Sequence, residues 1–184
     1  LLEIDKKNQY VLFGSSLRSR KKLKDFEKSL EEFAREPSRS NFEIKIAPYP
    51  PLLLEILWNR LHLYPIDKFI GEVDVFHSSD WTQPPTGPNA KKVTTVHDLI
   101  PFLFPTSAHP KIMAAQKRRL ARVKKEVDLV IADSQTTKDD LVKFLNIDEE
   151  KIKVIYLAPA PEFKPQDDQK VDEVLQKYKI KKPY

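Results

Sequence analysis

Short apolar runs alternate with amphipathic stretches along most of the chain. The runs that have the length and composition of β-strands are 10–13, 42–47, 73–76, 93–96, 127–132 and 152–156. Apolar residues recur at helical spacing over 22–35, 52–63, 110–125 and 136–145, and a short polar helix is predicted near 171–179. Several strands, such as VDLVIA, are almost continuously apolar, which is typical of strands buried on both faces. The pattern therefore predicts an α/β fold with a mostly parallel sheet and helices on both faces.

Prolines mark the breaks between these elements. Pro37 ends the first predicted helix, and proline-rich loops read WTQPPTGPNA after the third strand and FLFP after the fourth. The segment APAPEFKP reads as a linker that leads to the last helix. These breaks divide the chain into a domain at 1–165 and a linker with a helix at 166–184.

Polar and titratable residues follow several of the predicted strands. In an open parallel sheet, the carboxyl ends of the strands form the edge at which ligands bind. Two of the four histidines, His77 and His97, come directly after strands and are expected at that edge. The residues that share this position are Gly14-Ser15-Ser16, His77-Ser78-Ser79-Asp80, His97-Asp98, Asp133-Ser134 and Ala158-Pro159.

Each of these positions also has a purely structural interpretation. Asp133 and Ser134 are placed to cap the helix that follows, although its free N–H groups would favour an anion if they faced the cleft. Ser78 and Asp80 are ordinary turn residues. From the residues alone, a structural and a functional role explain His77 and His97 equally well.

The composition excludes several kinds of chemistry. A chain of 184 residues has room for one sizeable domain. The absence of cysteine excludes disulfides, thiolate chemistry and cysteine-ligated metals, and three glycines leave no glycine-rich phosphate loop. No G-x-S-x-G sequence occurs, which argues against an α/β-hydrolase, and the histidines are not spaced as a local metal motif.

Positive charge adds one candidate surface. The formal net charge is +5, and the helix predicted at 110–125 contains the stretch QKRRLARVKK. This face would suit an anionic membrane or nucleic acid, but it lacks the interleaved aromatic residues that stack on bases. A solvated helix face is the alternative. The apolar run at 52–58 has two interpretations as well, a core helix or a lipid-facing patch.

Four blocks of the sequence resemble, in order, the N-terminal half of glycosyltransferase family 4, and they look closest to its mannosyltransferase-like members. They read VDVFHSSDW, KVTTVHDLIPFLFP, VDLVIADSQTTKDDLVKFL and KIKVIYLAPAPEFKP, and the similarity covers Tyr10 to Pro165. The resemblance implies a two-domain retaining enzyme of the GT-B fold. Its Rossmann-like N-terminal domain would mainly bind the acceptor, and its C-terminal domain would bind a GDP- or UDP-sugar.

The resemblance also implies roles for particular residues. His97 matches a histidine near the donor sugar, where an imidazole can bind a sugar hydroxyl or stabilise charge at the reacting carbon. Asp98 would orient that ring or hold the loop. His77 and Ser78 would line the acceptor cleft, and Ser134 would lie near the nucleotide phosphates. The chemistry that the resemblance implies needs no bound metal, and it needs no cofactor because the nucleotide sugar is a substrate.

The family pattern places a first strand before this segment and a donor domain after it, so we expect both to be missing and the chain alone to be inactive. The complete enzyme would move a mannose- or glucose-like hexose to a glycan or lipid-linked acceptor in polysaccharide biosynthesis. We expect it in the cytoplasm, either free or in peripheral contact with an anionic membrane, and without nucleic acid. The alternatives are a non-catalytic carbohydrate- or lipid-binding module and a nucleotide-sugar epimerase of the GT-B type.

Overall fold

The structure is a computed structural model, and it describes residues 2, 4–34, 41–160 and 162–181. The strands in this part of the chain are β1 (Tyr10–Ser15), β2 (Phe42–Ala47), β3 (Val75–Ser78), β4 (Lys91–Val96), β5 (Leu129–Ala132) and β6 (Ile152–Val154). The α-helices are α1 (Arg20–Phe33), α2 (Pro51–Leu54), α3 (Asp67–Ile70), α4 (Ile100–Leu103), α5 (Pro110–Glu126), α6 (Gln135–Leu145) and α7 (Asp168–Tyr178). A π-helical segment at Glu55–Leu61 continues α2, and 3-10 turns lie at Pro105–Ser107 and Glu149–Lys151.

All of these strands pair in parallel. β1 and β2 form a two-stranded sheet, and β3, β4, β5 and β6 form a four-stranded sheet in that order. α5 connects β4 to β5, and α6 connects β5 to β6, as parallel neighbours require a crossover. The predicted α/β fold, Rossmann-like with parallel sheets flanked by helices, is therefore confirmed.

The main hydrophobic core lies between the four-stranded sheet and the helices α5 and α6. Its buried members are Val96, Leu99, Leu120, Val123, Val127, Val130, Ala132, Leu141, Ile147 and Ile152. The strand residues among them occupy alternate positions, so they share one face of the sheet. Both long helices therefore pack on that face.

A second core cluster lies against the smaller sheet. Its buried members are Leu54, Trp58, Ile66 and Ile70. Phe13 of β1 and Phe76 of β3 pack against it, so this cluster joins the two sheets. On the other face of β1, Gly14 comes so close to α1 that a Cβ there would lie 3.3 Å from a methyl group of Leu23. The smaller sheet is therefore flanked by helices on both faces.

Most predicted strand boundaries differ from the structure by about two residues, and two differences lie close to the strand-end residues. β3 begins at Val75 and extends through Ser78, because its ladder with β4 continues to the pair Ser78–Thr94. The apolar stretch after His97, predicted as a loop, begins with the short helix α4. The predicted end of the first helix at Pro37 lies outside the described residues.

The helix predicted at 52–63 combines α2 with the π-helical segment. Leu54 and Trp58 are buried, whereas Leu52 is 68% exposed and Leu61 is 55% exposed. The apolar run is thus partly core and partly surface. Among the described residues, no helix combines the length and the apolar character needed to cross a membrane.

Candidate functional site

Two polar side chains meet at the carboxyl ends of β4 and β5. The strands pair Val96 with Ala132, so His97 and Asp133 leave the sheet side by side. His97 Nδ1 lies 3.0 Å from Asp133 Oδ2. The side chain of Asp133 is 16% exposed, whereas that of His97 is 49% exposed. A largely buried carboxylate therefore holds an accessible imidazole.

The carboxylate determines which ring nitrogen carries the proton. An ionised carboxylate only accepts hydrogen bonds, so Nδ1 of His97 must be the donor. In the neutral ring, Nε2 is then an acceptor, and in the imidazolium it is a donor. His97 can therefore bind a hydroxyl group through Nε2 in either charge state.

Asp98 contacts the loop rather than the ring. Its Oδ1 accepts the N–H of Ile100 at 2.9 Å, at the beginning of α4. Of the two roles expected for Asp98, holding the loop agrees with this contact, and Asp133 orients the ring of His97 instead. The sequence pattern assigns Asp133 to helix capping. Its contact with His97 could have been predicted only from the parallel register of β4 and β5, which places the two residues side by side.

The N-terminus of α6 is tied to the backbone of His97. Ser134 Oγ accepts the N–H of Thr137 at 3.0 Å, which confirms the predicted cap. Thr137 Oγ1 donates to the carbonyl oxygen of His97 at 2.8 Å. Because that hydroxyl has a single proton, Ser134 Oγ is the donor in its 2.8 Å contact with Thr137 Oγ1. The hydroxyl of Ser134 is thus engaged within α6.

His77 and Ser78 lie on opposite faces of β3, as neighbours in a strand do. His77 Nε2 lies 2.9 Å from Thr95 Oγ1, and partial burial lowers the pKa of its imidazole. Ser78 is buried, with its Oγ 2.6 Å from Gln83 Oε1 and 2.7 Å from Thr94 Oγ1. The structure therefore places His77 on the accessible face and Ser78 in the interior, where its hydroxyl already has two partners.

An ion pair with a fully buried guanidinium lies behind this edge of the sheet. The side chain of Arg119, in α5, is 0% exposed. Its Nη1 donates to Asp80 Oδ1 at 3.0 Å, and its Nη2 donates to Thr94 Oγ1 at 2.8 Å and to the carbonyl oxygen of Thr95 at 2.9 Å. The sequence pattern does not reveal this pair, since Asp80 reads as a turn residue and Arg119 as one cation in a basic stretch.

Asp80 shares its electrostatic environment with the His97 pair. Burial raises the pKa of the Asp80 carboxyl above its usual range, and the positive charges of Arg119 and His97 oppose that shift. Asp98 and Asp133 add to the rise. Arg119 also joins Asp80 to the carbonyl oxygen of Thr95, two residues before His97, so Asp80 lies near the same edge of the sheet as the pair of His97 and Asp133.

This group has the chemistry of a site for hydroxyl-bearing ligands. Carboxylates accept hydrogen bonds from hydroxyl groups, and the imidazole can do so as well. In the part of the chain that the structure describes, no group of three or more His, Cys, Asp or Glu side chains could hold a metal ion. Nε2 of His97 and the carboxylate of Asp80 can each form a hydrogen bond with a hydroxyl group of a ligand.

A basic groove lies elsewhere, between the π-helical segment and α5. It has a volume of about 440 Å³ and is lined by Asn59, Arg60, Arg118, Ala121, Arg122 and Lys125. Glu55 neutralises part of this charge, since Arg118 lies 2.6 Å and Arg60 lies 3.3 Å from its carboxylate. Arg122 makes a 3.4 Å contact with the carbonyl oxygen of Arg60. The groove therefore retains positive charge.

The fold is that of an α/β protein with parallel sheets, and its polar strand-end group lies at the edge where such sheets bind ligands. The sequence profile of glycosyltransferase family 4 matches residues 13–158, from β1 to the segment after β6. The chain therefore belongs to glycosyltransferase family 4, and the resemblance in its four sequence blocks is confirmed at the level of the family. No curated protein matches the chain closely.

Proposed function

We propose that this chain is the acceptor-side domain of a retaining glycosyltransferase of the GT-B type. The enzyme would move a mannose- or glucose-like hexose from a GDP- or UDP-sugar to a glycan or lipid-linked acceptor. In this proposal residues 1–165 form the domain, and residues 166–184 lead towards a separate donor domain. Membership of glycosyltransferase family 4 supports the transferase function.

The pair of His97 and Asp133 is the observation that carries the proposal. Its position at the carboxyl ends of β4 and β5 is where open parallel sheets bind ligands. Asp133 holds the Nδ1 proton, which leaves Nε2 of His97 available to a sugar hydroxyl. An imidazole oriented in this way can also stabilise positive charge that develops at the reacting sugar carbon, provided that it is neutral.

Substitution of His97 in the full-length protein tests this function. His97→Asn should lower the rate of hexose transfer by about 100-fold, because a preorganised polar group at the reacting atoms is lost. The rate would be measured as product formed from a panel of GDP- and UDP-sugars, with thermal unfolding as the control for stability. The matched control is His109→Asn, since His109 caps α5 through the N–H of Lys111 and asparagine can do the same.

The outcomes separate the proposal from its alternatives. Transfer that is unchanged in folded His97→Asn would contradict the proposed role of the pair. Sugar binding without turnover in the wild-type full-length protein would favour a non-catalytic module. Conversion of the nucleotide sugar to its epimer, without an acceptor product, would favour an epimerase.

We also propose that the basic groove contacts an anionic membrane surface. Arg122 and Lys125 line the groove, and Leu52 and Leu61 are exposed at the two ends of the neighbouring helical segment. Basic side chains near an acidic bilayer contribute about 1 kcal/mol each, and exposed leucines add apolar contact at the interface. Exposed leucines favour lipid over nucleic acid as the partner.

Vesicle sedimentation tests this contact. The protein should sediment with phosphatidylglycerol-containing vesicles and not with phosphatidylcholine vesicles. Arg122→Glu/Lys125→Glu should abolish sedimentation, whereas Lys151→Glu/Lys153→Glu, the same charge change on exposed residues directly before β6 and within it, should not. Equal loss in both double variants would show a response to net charge alone and would contradict a specific surface.

A further inference from the structure

We propose that Asp80 binds hydroxyl groups of the acceptor sugar and that Arg119 positions its carboxylate for that purpose. This inference rests on the proposed transferase function and adds a substrate-binding residue to it. It depends on four observations: the burial of Arg119, its contacts, the partial exposure of Asp80 and the charges around it.

The complete burial of Arg119 needs an explanation. Charged side chains are seldom fully buried unless they are paired, because removing a guanidinium from water is costly. Arg119 is 0% exposed, and Asp80 is the carboxylate with which it pairs. Its Nε is also buried and has no hydrogen-bond partner in the described part of the protein. The hydrogen bonds of Arg119 therefore offset only part of the cost of removing its guanidinium from water.

Stability alone does not explain such a pair. Replacing a buried ion pair by apolar residues of similar volume is often neutral or stabilising. What the pair does provide is orientation, since Arg119 Nη1 holds Asp80 Oδ1 at 3.0 Å. Gln116, also in α5, donates to the carbonyl oxygen of Asp80 at 3.0 Å. One helix therefore fixes both the side chain and the backbone of Asp80.

The side chain of Asp80 is partly exposed, whereas that of Arg119 is buried. Its side chain is 34% exposed, against 0% for Arg119, so the pair opens towards the surface at the carboxylate. Oδ1 is the carboxylate atom that contacts Arg119, which leaves the other oxygen able to accept hydrogen bonds from a ligand. The carboxylate of Asp80 can therefore bind a ligand at the surface while the buried guanidinium of Arg119 holds it in position.

The surrounding charges select the chemistry of the ligand. Asp80, Asp98 and Asp133 bring negative charge to this region, and the positive charges of Arg119 and His97 offset part of it. A ligand meets the accessible carboxylate of Asp80 and not the buried guanidinium behind it, and a carboxylate repels a phosphate group but accepts hydrogen bonds from hydroxyl groups. The ligand expected at Asp80 is therefore a neutral polyhydroxylated molecule, which corresponds to the acceptor sugar and not to the nucleotide diphosphate.

Binding of simple hexosides by the full-length protein tests the inference without turnover. Methyl α-mannoside and methyl α-glucoside would be used as probes in saturation-transfer NMR. Asp80→Asn should weaken binding of the better probe about tenfold or more, because hydrogen bonds to a charged group are lost. Asp74→Asn is the matched control, since Asp74 is exposed directly before the opposite end of β3.

A second variant guards against a folding defect. Asp80→Asn leaves the charge of Arg119 buried and unpaired, whereas Asp80→Asn/Arg119→Met removes both charges and should fold. This double variant should lose probe binding to the same extent. Arg119→Met alone should also weaken binding, since Asp80 remains but loses its orientation.

The outcomes distinguish this inference from the proposed function. Equal probe binding by wild type and the folded Asp80 variants, or no binding by wild type, would overturn the role of Asp80. In enzyme assays with the same hexosides as acceptors, Asp80→Asn should raise the KM for the acceptor and leave the KM for the nucleotide sugar unchanged. Probe binding that depends on Asp80 in a protein without transfer activity would refute the proposed function alone.

Discussion

Side chains at the strand ends act in pairs, each with one buried and one accessible member. Asp133 is mostly buried and orients His97, and Arg119 is fully buried and orients Asp80. In each pair the buried side chain is the one removed from water, and its hydrogen bond fixes the orientation of the accessible side chain. This division keeps two polar groups ordered at a surface where solvent would otherwise allow several rotamers.

The imidazole of His77 predicts a pH dependence of stability. Burial lowers the pKa of His77 below its ordinary value of 6.5, so the unfolded chain takes up a proton more readily than the folded one. The contribution of His77 to stability is therefore present above pH 6.5 and is lost as the pH falls below it towards the folded pKa.

Urea unfolding at about pH 8 and about pH 5.5 measures this effect. The free energy of unfolding should fall less in His77→Gln than in wild type over that interval. Glutamine keeps a polar group near Thr95, so the difference between the two proteins reports the titration of the His77 imidazole. Identical pH dependence in the two proteins would show that His77 does not contribute.

The sequence predicts which residues reach the edge of the sheet but not how they pair. His97 is placed there by its position after an apolar strand, and this requires only the parallel topology. Its contact with Asp133 depends on a register between strands that α5 separates in the chain. Arg119 is missed for a related reason. Its neighbours Arg118 and Arg122 read as exposed cations, and only the packing of α5 distinguishes the one that turns inward.

Elements near the site are fixed by contacts at their ends. α6 begins at Ser134, whose hydroxyl caps it, and Thr137 in its first turn holds the carbonyl oxygen of His97. α4 begins with the contact between Asp98 and the N–H of Ile100. Periodicity predicts the length of α6 well, because its apolar face is long. It does not predict α4, because a helix of four residues has no periodic signal.

Removal of the α6 cap should lower stability. Ser134→Ala should cost about 1 kcal/mol, because the N–H of Thr137 loses its acceptor. Ser134→Thr should retain most of that free energy. Ser29→Ala, on an exposed position within α1, is the control and should have little effect. Chemical denaturation gives the comparison, and a Ser134→Ala variant as stable as wild type would contradict the importance of the cap.

At the scale of the whole molecule, two core clusters are joined by polar contacts. Asn59 is buried beside the second cluster, where its amide donates to the carbonyl oxygen of Trp81 and accepts the N–H of Gln83. Arg118 of α5 donates to Glu55. His62 lies 3.0 Å from Glu126 at the end of α5. The smaller sheet is thereby connected to the helix that covers the larger one.

These connections predict that the two clusters unfold together. In Trp81→Phe, Trp58 is the remaining tryptophan and reports on the second cluster, while far-UV circular dichroism reports on the whole chain. The urea midpoints from the two signals should coincide, as in a single cooperative transition. Adding Asn59→Ala should separate them, because it leaves the buried N–H of Gln83 without its acceptor. Separate midpoints before that change would show two independent units.

The parallel register of β4 and β5 limits where the chain can gain or lose residues. An insertion within either strand would turn every following side chain of that strand to the other face. His97 and Asp133 would then point in opposite directions, although neither residue had been substituted. Insertions in the loops that flank α5 would leave both strands in place. Tolerance to length changes, measured by single-residue insertion scanning, should therefore be high in those loops and low in β4 and β5.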